Sequence, residues 1–99
     1  MKALEETQAN QAIEAAIDLF AITRSIESAR IQADYTTADL LTKSRTSRFG
    51  TGGDSTKLKK IATQFTRKAI SAELKGDSDL SKRHYIEGVK KASHILINY

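Results

Sequence analysis

The chain has 99 residues, 39% hydrophobic and 28% charged, with a formal net charge of +4. This is the size of one domain, too short for a multidomain enzyme and too apolar for a wholly disordered chain. The absence of cysteine excludes disulfides and thiolate chemistry, no run of 18 apolar residues is present to span a bilayer, and the opening MKALEETQ lacks the apolar core of a signal peptide. A cytoplasmic protein is the expectation. With no proline, and with 13 alanine, 10 isoleucine and 8 leucine residues against one valine, the composition favours long helices over sheet.

Helix 1 is expected over about 4–32. Ala12, Ala15, Leu19, Ile22, Ile26, Ala29 and Ala33 recur at spacings of three and four, the stripe of one helical face. A second stripe, Ala9, Ile13, Ala16 and Phe20, widens that face enough for two neighbours. Asp34-Tyr35-Thr36-Thr37 offers a break and a new cap. A short helix 2, near 37–47, would bury Ala38 and Leu41, with Leu40 beside them. Residues 49–54 hold three glycines and read as a mobile linker, with Asp54 or Ser55 capping helix 3 over 56–75. There Leu58, Ala62, Phe65, Ala69 and Ala72 form the stripe. Gly76 suits a left-handed helix end, and Asp77 or Ser78 opens helix 4 over 79–98, whose stripe is Ser81, Tyr85, Gly88, Ala92, Ile95 and Tyr99. The expectation is an all-α single domain of two stacked antiparallel hairpins, about 1–48 and 55–99.

An internal repeat supports that division. A shift of 43 residues lays Thr23-Arg24 on Thr66-Arg67, Ser28-Ala29 on Ser71-Ala72 and Asp34 on Asp77. The repeated unit is a helix, an Asp-capped turn and a second helix, and two such units can bury the faces that one leaves open.

Few residues suggest chemistry. His84 and His94 are ten apart on one helix and do not share a face, so they are not a chelating pair. The loop from Gly50 to Lys57 lacks the Gly-Lys-Ser/Thr order of a phosphate-binding loop. No nucleophile–base set or paired carboxylates stand out, so the chain is expected to be non-enzymatic, with no cofactor and no metal. Charge is more informative: residues 1–42 carry 3 basic and 7 acidic groups, whereas 43–99 carry 13 basic and 5 acidic groups. Arg67, Lys82, Arg83, Lys90 and Lys91 are the candidate basic surface, the α-helical spacing of the last four placing them opposite the Tyr85 stripe. Phe49 is the one aromatic expected among these charges.

The segment Ala69 to Val89 resembles the helical hairpin of microtubule-interacting-and-transport (MIT) domains and tetratricopeptide repeats. Ser81, Tyr85 and Gly88 stand at 5, 9 and 12 residues after Gly76, where that pattern places small, tyrosine and small residues. Ser78 replaces the usual aromatic after Asp77, and in the first hairpin Thr42 stands in the tyrosine place. The resemblance implies a non-catalytic module that holds a partner segment between helices.

Two functional expectations follow. The first is a helical protein–protein interaction or adaptor module, its groove wall formed by Ile13, Ala16, Ile17 and Phe20, open to a partner protein or to a second copy of the chain. The second is a basic protein that binds nucleic acid or an acidic partner. A small inhibitor or immunity-type protein that blocks one larger target is a further alternative.

Overall fold

The computed structural model describes the backbone of residues 2–97 and side chains from residue 6. It is all-α, with four helices among the described residues: α1 (Lys2–Ile31), α2 (Tyr35–Phe49), α3 (Gly53–Leu74) and α4 (Ser78–Ile97). No helix there is long and apolar enough to cross a membrane. The expected elements are present, with boundaries shifted by up to three residues where they are described. Tyr99, assigned to the α4 stripe, lies outside the described residues.

At 30 residues, α1 is about 45 Å long. No other helix can cover it alone, so three share it. Around Phe20 it meets α4, α2 lies along it from Asp18 through Thr23, and α3 crosses it. The extents of 47 × 31 × 18 Å leave room for no more than two helices in depth. Ala16, Leu19 and Phe20 of α1 form the core with Leu58, Ala62 and Phe65 of α3 and Ala92 of α4. Burying each Leu or Phe contributes about 1.5–3 kcal/mol, and the alanines between them let the helix axes come close.

The two hairpin turns are built from the same bonds, 43 residues apart. The Asp34 N–H donates to Ala29 O at 2.8 Å and the Asp77 N–H to Ala72 O at 2.9 Å. The Ala33 N–H donates to Arg30 O at 3.0 Å and the Gly76 N–H to Glu73 O at 2.9 Å. Each aspartate then caps the next helix: Asp34 Oδ1 accepts from the Thr37 N–H and Asp77 Oδ1 from the Leu80 N–H. The Thr37 hydroxyl and amide hold the Asp34 carboxyl below the usual aspartate range. Burial repeats as well, since Ala12/Ser55, Leu19/Ala62, Thr23/Thr66, Ile26/Ala69, Ala29/Ala72 and Ala38/Ser81 are buried in both members of each pair.

The hairpins contact each other by exchange. Arg24 of α1 reaches Glu73 of α3, and Arg67, its counterpart on α3, reaches Glu27 of α1. Equivalent arginines thus cross in both directions, although their carboxylate partners do not stand at equivalent positions.

The glycine linker is shorter and better anchored than the sequence suggests. Helix α2 runs through Phe49 and α3 starts at Gly53, which leaves Gly50–Gly52. Gly52, at φ 136°, takes the N-cap place in which Asp54 or Ser55 was expected. The Ser55 hydroxyl donates instead to Phe49 O at 2.6 Å, and Lys59 Nζ donates to Gly50 O at 2.8 Å. Phe49 is half-buried against the core with Arg48 over its ring, not an exposed aromatic. Of the candidate α2 core, Ala38 is buried, Leu41 is half-buried and Leu40 is exposed.

The two turns differ in one costly respect. Gly76 adopts φ 83° freely, whereas its counterpart Ala33 is held at φ 59°. A left-handed conformation costs a residue with a Cβ about 1–2 kcal/mol. Ala33→Gly should therefore stabilise the protein by about 1 kcal/mol, read as a melting temperature several degrees higher, while Gly76→Ala should lower it by a similar amount.

Candidate anion-binding groove

The repeat places two clefts at equivalent positions, and the sequence fills them differently. On the α1 side, Ile17, Phe20, Ala21 and Arg24 face Tyr85 and Val89 of α4 across a shallow apolar dent of about 240 Å³. Forty-three residues on, Lys60, Thr63, Gln64 and Arg67 of α3 line an open groove of about 650 Å³ with Thr56, Lys59, Lys68, Arg45 of α2 and Arg30 of α1.

One position accounts for the difference. Gly88 of α4 is packed so tightly that an added Cβ would lie 2.5 Å from Phe20 Cζ and 2.7 Å from Phe65 Cβ. The missing side chain lets α4 seat on both α1 and α3. The residue 43 earlier, on α2, is Arg45. The residue is 7% exposed, and its guanidinium donates from Nη1 to Thr23 Oγ1 at 3.1 Å, while the Thr23 hydroxyl donates to Leu19 O at 2.7 Å. With that side chain beneath it, α2 rests on α1 and approaches α3 mainly at the connector, where Lys59 Nζ donates to Thr46 Oγ1 and Gly50 O. Thr66, the counterpart of Thr23, has a glycine where Thr23 has an arginine, and its buried hydroxyl makes no hydrogen bond.

The groove holds six cationic side chains: Arg30, Arg45, Lys59, Lys60, Arg67 and Lys68. One buried carboxylate answers them. Glu27 accepts from Arg30 Nη1 at 3.0 Å through Oε1 and from Arg67 Nε at 3.2 Å through Oε2. The two bonds anchor the buried Glu27 side chain between Arg30 of α1 and Arg67 of α3. Arg45, Lys59, Lys60 and Lys68 have no carboxylate of their own within ion-pair distance among the described residues. Burial pushes Arg45 and Lys59 below their usual ranges, and a neighbouring arginine adds to this in each case: Arg30 for Arg45, and Arg45 for Lys59. Both groups stay cationic at neutral pH. Positive charge and guanidinium forks are the chemistry that suits carboxylate and phosphate oxygens.

The structure divides both sequence-derived sites. In the stripe expected as a groove wall, Ala16 and Phe20 are core residues at 0% and 4% exposure, because α4 covers them. Only Ile13 and Ile17, at 43% and 51%, stand free beside the apolar dent. Of the five candidate basic residues, Arg67 belongs to the groove, while Arg83 and Lys90 border a separate depression with His84 and Glu87. Lys82 is exposed on α4. Lys91 is not opposite the Tyr85 stripe, since its Nζ lies 5.2 Å from the Phe65 ring centroid at the α3–α4 seam. Arg30, Arg45, Lys59, Lys60 and Lys68 were missed as a group. Moving the Ile13, Ala16, Ile17 and Phe20 stripe by 43 residues gives Thr56, Lys59, Lys60 and Thr63, all of which line the groove.

No group of three metal-ligating side chains occurs among the described residues. The tight seat of α4 can be tested directly. Overpacking at Gly88 should cost about 3 kcal/mol against about 1 kcal/mol gained in helix propensity, so Gly88→Ala should destabilise by roughly 2 kcal/mol in denaturant unfolding. Gly53→Ala, where an added Cβ meets nothing, should leave stability unchanged or slightly raised.

No protein-family model matches the chain, and no curated protein or solved structure was found to be similar to it.

Proposed function

We propose that the chain is a non-catalytic helical interaction module that holds an acidic segment of a partner protein in the groove between α2 and α3. The observation that carries this reading is the lining of that groove, six cationic side chains with Glu27 as the single buried counter-charge among the described residues. Lysines at the rim would steer the partner and set its orientation, and the buried Arg45 with Arg30 and Arg67 beside it would supply most of the hold. An acidic protein is favoured over nucleic acid because no aromatic ring among the described residues lines the groove to stack a base.

Calorimetric titration with a glutamate-rich peptide and with a random-sequence DNA duplex tests the reading. The peptide should bind, and a combined Lys60→Glu, Lys68→Glu change should weaken it about tenfold, the scale of two reversed partly exposed charges. A combined Lys82→Glu, Lys90→Glu change on α4 should have a much smaller effect. Equal losses from both pairs would place binding on the general positive field. Tighter binding to the duplex, with a steep loss of affinity in salt, would favour the nucleic-acid reading.

A further inference from the structure

We propose that the floor of the groove is a seat for one doubly charged oxyanion, a phosphoryl group carried by the acidic segment, with Arg45 as its central ligand. The inference rests on the functional reading above and names the group that the deepest part of the groove would take.

Arg45 is the one groove cation that is almost wholly buried, at 7% exposure, and it is held by a single neutral contact to Thr23. Its Nε–H makes no hydrogen bond. A buried guanidinium normally has its donors answered by a carboxylate or by carbonyls, because an unpaired buried donor is costly. Glu27, the nearest candidate, is already engaged by Arg30 and Arg67. The result is three guanidiniums and the Lys59 ammonium around one carboxylate, a local excess of three positive charges. A carboxylate from a partner would leave two of these unanswered, and a phosphoryl dianion leaves one.

The geometry also suits a tetrahedral group. Arg30 and Arg67 are partly exposed and flank Glu27 from α1 and α3, while Arg45 enters from α2, so donors converge from three helices. Arginine forks match phosphate oxygens in pairs of parallel hydrogen bonds. Arg45 Nε is shielded from solvent, so the anion would engage it by drawing the guanidinium outward from Thr23. Lys59, fixed to Thr46 Oγ1 and Gly50 O, closes the connector end.

The test uses the full chain and inorganic phosphate as the probe, at neutral pH and constant ionic strength, with acetate as the comparison. The Arg45 Nε–Hε resonance is followed by NMR, which needs no variant. Saturable one-to-one movement of that resonance is expected with phosphate, and weaker movement with acetate. Arg45→Lys, which keeps the charge and loses the fork, should weaken phosphate binding about tenfold. An unmoved Arg45 resonance, a non-saturating response or equal affinity for acetate would overturn the seat. If the glutamate-rich peptide still binds in that case, the groove reading stands without the seat. If the peptide fails as well, both fall.

Discussion

How closely the second helix of each hairpin can approach the other hairpin is decided at one repeated position. In α4 it is Gly88, whose missing side chain leaves room for Phe20 and for the base of Phe65. In α2 it is Arg45, a buried cation tied to Thr23. Closing α2 onto α3 in the same manner would bring that guanidinium against Lys59, Lys60 and Arg67 with no further carboxylate to answer them. Desolvating cations costs several kcal/mol per ion, against about 1.5–3 kcal/mol from burying an apolar side chain. Charge therefore wins over burial, and the α2 side stays open while the α4 side is packed.

The same choice separates a packed side from an open, charged side within one architecture. The apolar cleft faces α4 and joins the core through Phe20, which meets Tyr85 edge-on at a centroid distance of 6.4 Å. Its basic counterpart contributes little to the core and concentrates positive charge over a floor made by α1. Glu27 sits where these demands meet. It joins α1 to α3 through Arg67 and offsets the repulsion between Arg30 and Arg67, yet it neutralises only part of the groove's charge. The remaining excess is the basis of the proposed preference for anions.

Much of this was legible in the sequence. Helical periodicity marked all four helices, Asp34 and Asp77 marked the turns, and the 43-residue shift marked the repeat that the backbone bonds then reproduce. Periodicity does not say which neighbour covers a stripe. The face bearing Ile13, Ala16, Ile17 and Phe20 looked uncovered because α2 is short, but Gly88 allows α4 to reach it. Charge counting located the excess in the second half of the chain and grouped Arg67 with the α4 bases. The groove also draws Arg30 from the acidic first half and Arg45 from α2, and such a combination of three helices is visible only once the hairpins are packed.

The central claim is that the α2/α3 groove is the binding surface, and NMR mapping with a glutamate-rich peptide tests it most directly. The account predicts that shift changes concentrate on Arg45, Lys59, Lys60, Thr63, Gln64 and Arg67. Changes confined to Lys82, Arg83 and Lys90 on α4, or to Ile13 and Ile17 beside the apolar dent, would contradict it.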